Sequence, residues 1–241
     1  MDKSFEISVP QSLRDIKLGD WQKYLKIYEK NKDAEDGTFL TMKMLQIFCG
    51  MNLGSIRDIP VSYFDEIVAH LGEIFEKDNT DRVNQFSLIG ADGVEVTFGL
   101  IPKLDDMSYG ECQDLEEYIY DNQSLHKAMA VLYRPLAMGK GKDRYLIHPY
   151  KGTEEMASIM KEMPLDIALS SRVFFYNLAK KLGNSILSYT LHQSMQEKGV
   201  DSENLLGKNG ENIKRYMNSL TDNLKILDKS QSKMFTQHYT S

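Results

Sequence analysis

Apolar residues recur at helical spacing over most of this chain and alternate at two-residue spacing in only a few short stretches. After Gly19-Asp20, the residues Trp21, Tyr24, Leu25 and Tyr28 fall at i, i+3, i+4 and i+7, which predicts an amphipathic helix. Lys23, Lys26 and Lys30 lie on its opposite face and read as a solvated stripe. A compact helix over 41–49 follows, with Met44, Leu45 and Phe48 on one side and Gly50 placed as its C-cap. Pro60 opens a third helix to about Lys77, whose stripe is Phe64, Ile67, Val68, Leu71, Ile74 and Phe75. Ser108-Tyr109-Gly110-Glu111 fits a capping box, serine at the cap and glutamate three residues on, and predicts a helix from Tyr109 to about Asp121. Ser124 to Tyr133 reads as the next helix, with Leu125, Met129 and Leu132 on one stripe, stopped by Arg134-Pro135. Thr153 caps a short helix to about Glu162. Pro164 then starts the longest apolar pattern, which extends to about Lys198, on the order of 50 Å as one helix.

Period-two patterning marks the strands. Phe86 to Ile89 and Val94 to Phe98 flank Ala91-Asp92-Gly93, and Asp-Gly between such runs predicts a hairpin with a type I′ turn. Val94, Val96 and Phe98 share one side of the second strand, Glu95 and Thr97 the other. Phe5, Ile7 and Val9 alternate with polar residues before Pro10, so the N-terminal segment is expected to add a third strand to the hairpin. Tyr145 to His148 reads as a further short strand. The fold class expected is α+β and predominantly α-helical. A helical domain over 1–200 surrounds a small antiparallel hairpin (86–101) or three-stranded sheet, and a C-terminal helical arm over 201–241 has a disordered end.

Composition narrows the function. The chain has 241 residues, two cysteines without a paired motif, and a net charge of −6. A chain of this length can bury a substantial core. The negative charge argues against generic binding to nucleic acid or to an anionic membrane. Lone cysteines fit a reducing compartment and no disulfide framework. No apolar run approaches a membrane span, and the N-terminus lacks a signal-peptide core, so a cytoplasmic protein is expected. The glycine-lysine stretch 138–144 lacks Walker A spacing and reads as a surface loop. No metal-ligand, nucleophile-elbow or dinucleotide pattern occurs, and the expectation is a non-enzyme with no metal and no cofactor.

Two stretches stand out as candidate partner-binding surfaces. Between Asp105 and Asp121 there are seven carboxylates and no lysine or arginine. Asp105, Asp106, Glu111, Asp114 and Glu117 read either as a solvated face that favours the helix N-terminus or as a recognition surface for a basic partner. In the arm, Ile213, Tyr216, Met217, Leu220, Leu224 and Leu227 repeat at helical, near-heptad spacing. This strip, with Tyr216, Met217 and Leu220 at its centre, could fold back, dock on a neighbouring copy, or order on binding.

The segment FGLIPKLDDMSYGECQDLEEYI, followed by LHKAMAVLYRP, YLIHPYKGT and MKEMPLDIALSSRVFFYNLAKKL, resembles a family of uncharacterised proteins of tailed bacteriophages, especially those of Bacteroidetes hosts. The resemblance covers roughly residues 86 to 182. The element order also resembles phage tail assembly chaperones, through a hairpin followed by the turn and helix at 107–118; Cys112 and Gln113 depart from that pattern. The resemblance implies a non-enzymatic tail or virion morphogenesis protein. Its partners would be phage tail proteins, either the tape-measure protein bound by a tail assembly chaperone or the neighbours of a permanent neck or connector subunit. It would be a homo-oligomer, present in the host cytoplasm during assembly, and in the second case in the virion.

Overall fold

The structure is a computed structural model that describes residues 7–33, 37–77, 82–90, 93–102, 107–139 and 145–178. It is an α+β fold in which helices dominate and one four-stranded antiparallel sheet has the order β1-β2-β3-β4. The helices are α1 (Leu18–Asn31), α2 (Thr38–Phe48), α3 (Leu53–Arg57), α4 (Val61–Glu76), α5 (Tyr109–Tyr118), α6 (Leu125–Leu132), α7 (Glu154–Met160) and α8 over 165–178. The strands are β1 (Gln85–Ile89), β2 (Glu95–Leu100), β3 (Tyr133–Gly139) and β4 (Tyr145–Ile147).

Local signals place most of these elements as expected. Trp21, Tyr24, Leu25 and Tyr28 are buried on α1, and its lysine face is exposed. Gly50 follows α2 with φ of 65°, the left-handed conformation that glycine adopts without a Cβ penalty. Ser108 and Glu111 form the full capping box of α5. The short helix α3 has no apolar period to announce it; Asn52 caps it by accepting from the Ser55 N–H at 2.8 Å.

The centre of the core is α6 and the start of α8. Leu125, Ala128, Met129, Ala130, Val131 and Leu132 are all buried, so α6 is enclosed on nearly every side rather than along one stripe. Leu165, Ile167, Ala168, Ser170 and Ser171 are equally enclosed on α8. Phe86, Phe98 and Leu100 project from one sheet face into this core, where the Phe86 ring meets Phe98 and Tyr133.

Three expectations about the sheet are corrected. Residues 7–10 form no strand; Ile7 and Val9 pack against the core, and the Pro10 carbonyl faces His70 Nε2 at 3.1 Å. The inner edge of the hairpin is taken instead by β3, through Phe98↔Pro135, Gly99↔Arg134 and Leu100↔Tyr133. Pro135 does end α6, but the chain passes directly into β3, because the residue before proline is held extended and Tyr133 is already at φ −115° and ψ 125°. β3 thus claims Met138 and Gly139 from the stretch expected to be a loop. The hairpin turn also differs from the two-residue type. Ile89 pairs with Glu95, the Gly90 N–H donates to Val94 O at 2.8 Å so that Gly90 and Val94 close the turn, and Gly93 lies at φ 78°.

α8 accounts for the start of the long pattern after Pro164, which is itself bridged to Lys17. The rest of that pattern (179–198), the arm over 201–241 with Tyr216, Met217 and Leu220, and Asp105 and Asp106 lie outside the described residues.

Candidate functional site

Helix α5 carries Glu111, Asp114 and Glu117 of the acidic residues that the sequence singles out, and the structure divides them into two groups. Glu111 is buried. One carboxylate oxygen accepts from the Ser108 backbone N–H at 2.7 Å, and the other lies 2.8 Å from the Arg134 guanidinium. The exposures of these two side chains are 7% and 11%, so water screens the pair little. Arg134 reaches it because α6 leads straight into β3, which sets residue 134 beside the first turn of α5.

The cluster continues through Tyr150. The Arg134 guanidinium lies 5.9 Å from the Tyr150 ring centroid, and the Tyr150 hydroxyl donates a short hydrogen bond to Asp114. Burial, and then the hydrogen bond to Asp114, hold the Tyr150 hydroxyl well above its ordinary pKa. The chain Glu111–Arg134–Tyr150–Asp114 ties α5 to the sheet and to the segment before α7. Both carboxylates have internal partners, so the arrangement braces the fold. Glu111 and Asp114 are therefore tied to internal partners, and Glu111 is buried and not part of a solvated face.

The other side of α5 is open. Tyr109, Cys112, Gln113, Glu116 and Glu117 are all exposed, and Tyr109 is 79% exposed. Of the expected carboxylates, Glu117 is the one described at the surface and facing solvent.

A second polar network lies between α1, the turn before α6, and α8. Gln22 donates to the Asn122 carbonyl at 2.7 Å, and Gln123 donates to the Gln22 carbonyl at 3.0 Å. Arg172 donates to Asn122 Oδ1 at 2.7 Å and lies 5.8 Å from the Trp21 ring centroid. Burial lowers the pKa of Arg172 to about 10, which leaves it charged at neutral pH. Neither Arg134 nor Arg172 has a sequence motif; each becomes recognisable only when folding surrounds it.

An open hollow of about 320 Å³ is lined by Asp15, Lys17, Asp20, Phe48 and Cys49, among others. Two of its polar groups are already engaged: Asp15 caps the turn at 13–15 and Lys17 pairs with Glu162 at 2.6 Å. Burial pushes the Cys49 thiol up to about 11, so it is protonated and a poor nucleophile at neutral pH. Among the described residues no three His, Cys, Asp or Glu side chains gather as a metal site. Among them, too, no helix is long and apolar enough to cross a membrane.

Helix α4 carries part of the exposed apolar surface, and its stripe is only partly packed against the core. Leu71, Ile74 and Phe75 are buried, whereas Phe64, Ile67 and Val68 on the same stripe are only half-buried. Val61 continues the stripe at 74% exposure, and Tyr63 beside it is exposed too. Compared with known protein families, with curated proteins and with solved structures, the chain matches none.

Proposed function

We propose that this chain is a non-enzymatic protein of bacteriophage tail or virion morphogenesis, acting as a tail assembly chaperone that binds the tape-measure protein. The phage assignment rests on the resemblance of residues 86–182. The observation that supports a helix-binding role is the half-covered stripe of α4. Val61, Phe64 and Val68 recur at i, i+3 and i+7, the spacing with which one amphipathic helix meets another. A long helical partner such as a tape measure offers a matching surface, and covering this stripe would keep both chains soluble. The alternative, a permanent neck or connector subunit, uses the same surface for a contact that persists in the particle.

Mass spectrometry of purified particles and of the lysate they came from separates these readings. A chaperone is abundant in the lysate and absent from the particle. A fixed copy number matching the rotational symmetry of the neck or tail would refute the chaperone and establish the structural subunit. Co-expression with the tape-measure protein tests the surface: Val61→Lys with Phe64→Glu is expected to abolish both co-purification and the solubility of the partner.

A further inference from the structure

Helix α4 is enclosed at one end only. Leu71, Ile74 and Phe75 near its C-terminus are buried, whereas Phe64 and Val68 are half-buried and Val61 is exposed, so its first half presents an apolar strip. The strip has an acidic border. Asp65 follows Val61 by four residues and precedes Val68 by three, which sets it beside both on the helix surface. Asp65, Glu66, Glu73 and Glu76 are all exposed, and α4 contains no lysine or arginine. Among the described residues, none of these four carboxylates is in an ion pair.

The same chain carries a complementary segment outside the described residues. At helical spacing Ile213, Tyr216, Met217, Leu220, Leu224 and Leu227 fall on one face about 100° wide. Here the border is basic: Lys214 stands three residues before Met217, and Lys214, Arg215, Lys225 and Lys229 outnumber Asp222 and Asp228. Residues 179–212 join this segment to the described end of α8. Even wholly helical they span about 50 Å. A domain of this size is about 40 Å across, so the segment reaches any of its faces. Gly183-Asn184 and Gly207-Lys208-Asn209-Gly210 supply the turn signals that a reversal of the chain needs.

We propose that residues 213–227 dock as an amphipathic helix on the Val61, Phe64 and Val68 strip of α4 in their own chain, and hold that place until a partner helix displaces them. Apolar face meets apolar strip, and the basic border of the segment meets the acidic border of α4. The tether favours the chain's own segment over that of a second copy. A linked segment faces its site at an effective concentration of about millimolar, so a modest contact is enough to keep the strip covered. The displacement rests on the reading of α4 as the helix-binding surface; the docking itself does not require that the partner be a tape measure.

Hydrogen exchange of the full chain, read by mass spectrometry, tests the contact from both sides. Leu220→Glu with Leu224→Glu is expected to speed exchange of the α4 amides at 64–69 about tenfold. Val61→Lys, at a position 74% exposed and so harmless to folding, is expected to speed exchange over 213–227 by a similar factor. Leu146→Lys, at an exposed apolar residue of β4, is expected to change neither. If each segment ignores substitutions in the other, the proposal is overturned. Exchange at 64–69 that slows as the chain is concentrated overturns it too, because the occupant is then the segment of a second copy. In co-expression with the tape-measure protein, Leu220→Glu with Leu224→Glu is expected to raise the partner recovered at least about threefold; no rise refutes the displacement. The two readings of α4 fail separately. Coupled exchange with partner recovery that ignores Val61→Lys refutes the tape-measure reading and upholds the docking, whereas uncoupled exchange with recovery that falls in Val61→Lys refutes the docking alone.

Discussion

Replacing Glu111 by glutamine removes one negative charge while nearly preserving the shape of the side chain. The amide oxygen can still accept from the Ser108 N–H, so the capping box survives. What is lost is the charge facing Arg134 at 2.8 Å, in a site where both side chains are almost fully enclosed. Arg134 Nε is already buried with no hydrogen-bond partner among the described residues, so the guanidinium has little local compensation. Removing one member of such a pair costs about 3–5 kcal/mol, and the retained amide places Glu111→Gln near 3 kcal/mol. Glu111→Ala also loses the cap, which adds about 1 kcal/mol. With a urea m-value of about 3 kcal/mol/M, the glutamine variant should unfold about 1 M earlier. Adding Arg134→Met to Glu111→Gln removes the stranded cation, so the double variant is expected to recover much of the loss, with a coupling of about 2 kcal/mol. A cost below about 1 kcal/mol for Glu111→Gln, or an additive cycle, would falsify the structural role given to this pair. It would return Glu111 to the surface that the sequence suggested.

Three further outcomes follow from local geometry. A Cβ on Gly99 would lie 2.5 Å from the Tyr145 ring and 2.7 Å from Leu136, and Tyr145 is held by hydrogen bonds to the Asn84 and Leu100 carbonyls; Gly99→Ala should therefore cost about 1–3 kcal/mol in urea unfolding. Burial first, then Lys161 and Lys127, lowers the pKa of His126 from 6.5, with Gln123 and Asp121 opposing weakly. The unfolded chain then binds the proton more tightly, so stability should hold above pH 6.5 and fall as the pH drops below it; His126→Gln should flatten that fall, and an unchanged slope would refute the assignment. Cys112 is exposed and Cys49 buried, so a thiol reagent should label one cysteine in the folded chain and both after unfolding; fast labelling at Cys49 would contradict its enclosure.

What could be read in the sequence is what short-range physics controls. The stripes of α1, α2 and α4 depend on a period of 3.6 residues, and the α5 cap on two hydrogen bonds spanning three residues; both are complete within the sequence window that reveals them. The hairpin was legible as well, because Gly93 and its flanking runs mark it, although the loop length depended on register.

The tertiary structure decided what depends on partners distant in the chain. Tyr133–Gly139 has no strand pattern of its own and becomes β3 only because β2 offers an edge to it. Phe5-to-Val9 has the strand pattern, yet residues 7–10 pair with no strand, since that inner edge is filled. Glu111 looked like one carboxylate among seven along an acidic stretch. Whether a charge is solvated or buried is a property of its surroundings, and those were set when a proline after α6 carried Arg134 across to meet it. By itself the sequence determined most of the helices, the hairpin, the cap and the net charge, because each follows from neighbouring residues or from simple addition. Which strand fills an edge and which carboxylate faces solvent were left to the fold, because long-range pairing and burial settle them.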